Sequence, residues 1–385
     1  MNRSGALATM NDTAILATTT ASDDRAVVSR LIALATRGLF PMFDPRHQLF
    51  CYKLKKNNEI LVREGLSHRY TMMTLMGLHR LKQAGTVSPF DCTRILQNLV
   101  SDLRWVDNLG DLGVLLWLWG VMCPERLPDV ERRLDIKTAL QRFGGSKQAV
   151  TMELAWFLTG ISYYALAHPE KLSQLQPLAF ETYKMITRNQ GKSGFFGHQS
   201  TSRSLMGMVR GRVGSFADQV YPIYAMTQFG RAYQNEEALG RALKCARGIC
   251  EVQGPLGQWW WHYDSVAGKV TDGYPVFSVH QHAMAPMTLF ALGDALGNAF
   301  DPWIYKGLRW INSDNELDFE MEDSSAGVIW RCIQRKRPSR ARYLKARLGI
   351  HSDALRHEGN SELEALFECR PYELGWLLYA FAGRG

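Results

Sequence analysis

Six stretches of the chain are strongly apolar, carry small residues, and follow a polar or glycine-containing lead-in. They are EGLSHRYTMMTLMGLHRL (64–81), DNLGDLGVLLWLWG (107–120), TMELAWFLTGISYYALA (151–167), SFADQVYPIYAMTQFGRAY (215–233), SVHQHAMAPMTLFALGDAL (278–296) and CRPYELGWLLYAF (369–381). Around and between them, residues 25–37, 88–104, 130–143, 172–188, 235–250 and 301–312 read as amphipathic helices, with apolar positions at helical spacing and charges between. A helix with few surface charges must be covered on both sides, whereas one with a polar face can form an outer layer. Six of each kind predict an all-α (α/α)6 toroid over residues 25–385, with six inner helices inside six outer ones. An irregular helical protein with a generic core is the plainer alternative. Pro222 and Pro286 fall inside two inner segments, so those helices either kink there or start there.

The chain has 385 residues, 46% hydrophobic and 21% charged, which excludes general disorder. Residues 1–24, rich in Ala, Thr, Ser and Asn, predict a flexible tail, with Met10 as a possible alternative start. No basic region followed by an apolar run opens the chain, so no signal peptide is expected. The apolar run from Leu112 to Met122 is shorter than the roughly 20 residues of a membrane span. The seven cysteines form no tight CxxC pair. Reduced thiols in the cytoplasm fit them best, and zinc has no support. No metal or cofactor is expected. Neither a Gly-rich phosphate loop nor a nucleic-acid motif is present, so no nucleotide is assigned and nucleic acid is not an expected partner. The net charge of +8 is partly local: Arg331, Arg335, Lys336, Arg337, Arg340, Arg342, Lys345 and Arg347 form one basic stretch. It is either a solvated face or an attractor for an anionic ligand.

The lead-ins to the apolar helices collect polar residues that a plain core does not require. Glu64, His68, Arg69 and Tyr70 precede the first, Asp107 and Asp111 the second, and Glu153 begins the third. Asp218 and Gln219 precede the fourth, His280, Gln281 and His282 the fifth, and Tyr372 and Glu373 the sixth. In a toroid these positions converge on one mouth. Each acid also has a structural explanation, as a cap or as a charge at the positive end of a helix.

QGPLGQWWWHYD (253–264) sets Trp259, Trp260 and Trp261 between a turn and Tyr263–Asp264. The rings either wall a cavity, where they stack on sugar C–H faces or cations, or wedge between helices. The segment 268–275, with Tyr274, then forms a short hairpin or a lid.

The alternating helices over about 25–383 resemble the six-hairpin glycosidase-like superfamily and, more distantly, the terpenoid-cyclase and protein-prenyltransferase toroids. QGPLGQW (253–259) loosely resembles the glutamine-tryptophan repeats of triterpene cyclases, but an Asp-x-Asp-Asp acid motif is missing. The first resemblance implies a central cavity and a carbohydrate-active hydrolase or lyase. Hydrolysis needs two carboxyls, about 5–5.5 Å apart for retention or about 6.5–9.5 Å for inversion. Asp218, Asp264, Glu153 and Asp111 are the candidates. His280 and His282 are candidate acid/base groups. A lyase would use His282 or Tyr274 as base and neutralise a uronate with Arg69, Arg210 or Arg212. Trp259, Trp260, Trp261, Tyr263, His280, Gln281, Arg69, Arg212 and Tyr372 are candidate binding residues. Competing readings are a cyclase-like enzyme for a small hydrophobic substrate and a non-catalytic glycan-binding toroid. The oligomeric state is not legible.

Overall fold

The computed structural model describes residues 23–144, 150–199, 211–337, 341, 344–345, 348 and 360–384. The expected tail lies outside these residues except for Asp23 and Asp24, which already belong to the first helix, α1 (23–38). Arg210 also lies outside them.

Six inner helices form a closed ring. They are α2 (His68–Gln83), α4 (Leu109–Met122), α7 (Thr151–Ala167), α9 (Ala217–Tyr233), α11 (Ala285–Leu296) and α13 (Pro371–Phe381). Each packs on the next, and α13 returns to α2. Around them lie α1, α3 (Cys92–Ser101), α5 (Leu127–Arg133) with α6 (Ala139–Gly144), α8 (Leu172–Arg188), α10 (Glu236–Glu251) and α12 (Asp301–Ile311). The fold is the (α/α)6 toroid that the hydrophobic pattern predicts. The two layers differ as their sequences do. From Leu109 to Trp119 every residue of α4 is buried, whereas α10 buries only Ala238, Ala242, Cys245, Ala246, Ile249 and Cys250, one stripe of the helix.

Local chemistry explains where the helices depart from expectation. The helix expected over 130–143 is broken because Asp135 takes the backbone N–H and the hydroxyl of Thr138, diverting them from a helical ladder. The helix expected over 88–104 starts later, at the Asp91 cap, whose carboxylate accepts from Arg94 N–H at 3.0 Å. Pro222 lies within α9. Pro286 directly follows a π-helical turn at His280–Met284 that leads without a break into α11, and the widened turn accommodates the missing N–H.

The two ends of the ring are unequal. Connections from inner to outer helices are short, at 84–91, 123–126, 168–171, 234–235 and 297–300. Those from outer to inner helices include 39–67, 189–216, 252–279 and 312–370 and carry the strands. Four small antiparallel sheets therefore gather at the N-terminal ends of the inner helices, the smallest pairing Glu322–Asp323 with Val328–Ile329. One pairs Leu49–Asn57 with Ile60–Leu66, Phe43–Asp44 and Glu368–Cys369. A second sets Cys332–Arg335 between Val276–Phe277 and Leu363–Leu366. The third joins Val213–Ser215, His262–Asp264 and Lys269–Asp272.

Aromatic side chains plug the ring axis below this mouth. Trp117 lies 5.0 Å from Trp376 and 4.9 Å from Tyr224 between ring centroids. The hydroxyls of Tyr163, Tyr224 and Tyr379 bond one another at 2.8–3.1 Å, and Trp117 Nε1 donates to Tyr379. All seven cysteines are unpaired. No described helix is long and apolar enough to cross a membrane.

Glycines permit the close helix crossings that seal the ring. A Cβ on Gly77 would meet the Gly375 carbonyl oxygen at 2.1 Å, and one on Gly113 would meet the Phe157 backbone nitrogen at 2.4 Å. Alanine improves helix propensity by about 1 kcal/mol, but here it must push two backbones apart. Overpacking of this kind costs about 1–3 kcal/mol, so Gly77→Ala is expected to lower stability despite the gain in propensity. Urea denaturation checks the sign, and an unchanged or raised midpoint rules out the tight crossing.

Candidate functional site

The N-termini of the inner helices surround a cavity of about 260 Å³ at the mouth. Rings form much of its wall: Tyr70 and Trp156 from α2 and α7, Tyr221 from α9, Trp261 and Phe277 from the excursion before α11, and Tyr372 from α13. Met73, Met152 and Met284 add polarisable apolar surface. The polar lining consists of Arg69, Arg331, Ser215, His280 and the phenol hydroxyls, and no Asp or Glu lines it among the described residues.

Two guanidinium groups set the charge of the cavity. Arg331 follows the strand Val328–Ile329, donates to the buried Glu373, and lies 5.0 Å over the Phe277 ring. Burial opposes its charge, but the Glu373 carboxylate, together with Tyr372 and Cys332, more than offsets this and holds Arg331 above its ordinary pKa. Glu373 also accepts from Arg370 N–H at 3.1 Å, so it anchors the start of α13. Arg69, in the first turn of α2, donates to Asp111 at 2.6 Å and lies 5.3 Å over Trp156. Burial raises the pKa of Tyr372 well above 10, and Tyr221 also rises chiefly through burial, so both phenols stay neutral.

Two further carboxyls, Asp111 and Glu153, interact with Arg69. Asn108 caps α4 by accepting from Asp111 N–H, and its amide donates to the Asp111 carboxylate at 2.6 Å. Asp111 is thus held by a cation and an amide. Glu153 stands in the first turn of α7, the neighbouring inner helix; its Cγ is 3.1 Å from where a Cβ on Gly110 would be. Burial raises the Glu153 pKa, Arg69 counters, and Asp111 adds to the rise. One carboxyl is therefore biased towards its protonated form beside another held by Arg69.

Of the residues expected at the site, the structure brings Arg69, Trp261, His280 and Tyr372 to the cavity, Asp111 to the adjoining cleft, and Glu153 next to the start of α4. The others have structural partners instead. Asp218 is buried and accepts from the N–H and hydroxyl of Ser215, both at 2.9 Å, and from His198 at 3.1 Å; with Ser215 it caps α9. Asp264 folds its hairpin by accepting from Val266 and Ala267 N–H and pairs with Arg212 at 3.3 Å. That pair occupies Arg212, which also reaches the Leu348 carbonyl. Tyr274 donates to buried Glu316 at 3.0 Å. The tryptophan run divides by depth. Trp259 is fully buried against Phe216, Trp260 is buried and bonds the Val252 carbonyl, and Trp261 alone faces the cavity. Gln281 ties the Trp259 N–H to the Phe277 carbonyl, and Tyr263 is core, packed on Phe195.

The two histidines are not neutral-range acids. Burial pushes His280 and His282 down to about 3, so both are uncharged imidazoles in ordinary buffers. His280 lines the cavity, 4.5 Å from the Phe216 ring centroid, whereas His282 is fully buried away from it. The sequence reading includes Arg331 only within the basic stretch, as part of a solvated face or an attractor for an anionic ligand, and not among the site residues. Its setting, the apolar run Val-Ile-Trp before it and Cys-Ile after it, was the available signal. Among the described residues, no three His, Cys, Asp or Glu side chains gather as a metal site.

No family model and no curated protein matches the sequence. Solved structures do match in fold. An unsaturated glucuronyl hydrolase from Streptococcus agalactiae aligns with TM-score 0.59 at 11% identity, over 94% of this chain and 90% of that one. An unsaturated glucuronyl hydrolase specific for heparin aligns with TM-score 0.55 at 13% identity, over 93% and 95%. A possible member of the GH105 family from Salmonella enterica aligns with TM-score 0.57 at 11% identity, over 92% and 93%. This chain thus shares the toroid of the six-hairpin glycosidase-like proteins, and at such identity the likeness is one of fold.

Neither ring nitrogen of His282 has a hydrogen-bond partner among the described residues. An unfolded imidazole protonates near 6.5 and the folded one near 3. Between those values the unfolded state binds more protons, so stability is lost as pH falls through that window. His282→Leu is expected to keep stability at pH 7 within about 1.5 kcal/mol and to shrink the fall in urea midpoint between pH 7 and pH 5. An unchanged fall excludes His282 as one of its sources.

Proposed function

We propose that the chain is a carbohydrate-active enzyme that takes a terminal acidic sugar into the mouth cavity and hydrolyses its glycosidic bond at the rim. The observation that carries this reading is the pair Glu153 and Asp111, two carboxyls in opposite environments beside a cavity walled by rings and guanidinium groups. A carboxyl biased towards its protonated form suits a general acid, and one bonded by a cation and an amide suits a base or a charge stabiliser. Glu153 donates its proton to the departing glycosidic oxygen. Asp111, held by Arg69 and Asn108, takes a proton from the attacking water or stabilises the developing positive charge.

The cavity favours one ring with a negative group. Trp261, Phe277 and the tyrosines supply flat surfaces for sugar C–H faces. Arg331 and the partial positive charges of the converging helix N-termini favour a carboxylate. Several of the structural neighbours bear the name unsaturated glucuronyl hydrolase, which accords with an acidic sugar. An elimination through His282 or Tyr274 lacks support, since neither lines the cavity and the Tyr274 hydroxyl is held by Glu316. Cytoplasmic residence remains the reading favoured by seven free thiols.

Glu153→Gln is expected to lower kcat about 10²–10⁴-fold on an acidic oligosaccharide while KM changes little. The wild-type rate is expected to fall as pH rises above the raised Glu153 pKa, because the proton donor is then lost; the variant lacks that alkaline limb. An unaltered limb refutes the assignment. Removing Arg331 alone strands Glu373, a loss of about 3–5 kcal/mol for a buried pair. The double variant Arg331→Gln/Glu373→Gln avoids that and is expected to raise KM for acidic sugars more than for neutral ones; equal effects on both refute recognition of the negative group.

A further inference from the structure

We infer that a shallow cleft just outside the mouth is a second sugar-binding subsite, built on the ring pair His68–Trp105, which makes the protein bind a disaccharide unit better than a single acidic sugar. The inference rests on the proposed function for its ligand class and deepens it. The cleft, about 270 Å³, shares Arg69 and Tyr70 with the mouth cavity, so a chain leaving the cavity runs directly into it. Asp111 lines this cleft and not the inner cavity. The bond between the inner and outer sugar therefore lies beside Asp111 and Arg69.

Two parallel ring pairs flank the cleft. The His68 and Trp105 centroids are 5.0 Å apart with planes 9° from parallel, and those of Tyr52 and Tyr70 are 5.4 Å apart at 15°. Isolated half-exposed aromatic residues are ordinary on a protein surface. Two stacked pairs on one polar cleft beside a catalytic rim are a prepared platform. Trp105 is held because its Nε1 donates to the Leu99 carbonyl at 3.0 Å. Tyr70 is held by Arg370, which donates to its hydroxyl at 2.9 Å. Rings already fixed in place lose little freedom when a sugar binds. The polar groups of the cleft, Ser67, Arg69 and Asp111, are suited to sugar hydroxyls.

The test uses the full chain carrying Glu153→Gln, so that bound ligand is not consumed. Binding of the monosaccharide, disaccharide and trisaccharide of two series, oligogalacturonides and heparin-derived oligosaccharides, is followed by calorimetry or ligand-observed NMR. In at least one series the disaccharide is expected to bind more tightly than the monosaccharide. Trp105→Ala is expected to remove about three- to tenfold of that gain and to leave monosaccharide affinity unchanged; Trp105→Phe is expected to retain most of the gain. A disaccharide that gains nothing, or a Trp105→Ala variant that weakens both ligands equally, overturns the subsite. The inner pocket is read separately: if Arg331→Gln/Glu373→Gln binds the monosaccharide as well as its parent, the proposed inner site fails even where the Trp105 effect holds. Absence of binding in both series overturns both.

Discussion

The architecture follows from one constraint: the inner helices have no polar face to turn to water. A helix such as α4, buried from Leu109 to Trp119, needs neighbours on every side. A ring closed from α13 back to α2, with a second layer outside, meets that need. The glycines at the crossings are the local condition for closure, since Gly77 and Gly113 face backbone at distances that leave no room for a methyl group. Closure also leaves an axis to be filled. Large rings fill it, with Trp117 at the centre and three tyrosine hydroxyls satisfying one another below the mouth.

That plug makes the site one-sided. Alternate helices run in opposite directions, so all inner helices begin at the same end, and the long connections gather there with their small sheets. Helix N-termini favour negative charge, and several acids of the first turns serve that need. Asp218 caps α9, Glu373 anchors α13, and Asp111 sits in the cap of α4. Because these acids bond locally or pair with arginine, the cavity is left with arginines and rings. Glu153 differs in its partners: it occupies the same first-turn position in α7 but makes no ion pair among the described residues, and burial raises its pKa as it raises that of Glu373. The chemistry proposed for the rim depends on that difference between two first-turn acids on adjacent helices.

The tryptophan run shows how a short segment serves several layers at once. In an extended chain successive side chains point to opposite sides. Trp259 and Trp260 are buried and Trp261 reaches the cavity, so one motif ties the mouth excursion to the body of the ring. Gln281, expected to meet substrate, instead fastens this excursion by accepting from Trp259 N–H. The mouth is thus built from segments whose polar residues mostly hold the backbone in place.

Residue spacing carries the helices, their alternation and the end of the ring at which polar residues collect, because burial on all sides or on one stripe is written directly in it. It also marked Arg69, Asp111, Glu153, Trp261, His280 and Tyr372 as lead-in or excursion residues. It could not separate these from Asp218, Asp264, Tyr274 or His282, since an acid that caps a helix and an acid that faces a substrate have the same spacing. Which polar group finds a partner is set by the packed fold: Ser215 and His198 for Asp218, Arg212 for Asp264, Glu316 for Tyr274. The packed fold alone brings Arg331 beside residues of α2 and α13, by way of a strand excursion more than two hundred positions from Arg69. Hydrophobic periodicity is local and survives in the sequence, whereas pairing between distant charges is settled by the closure of the ring.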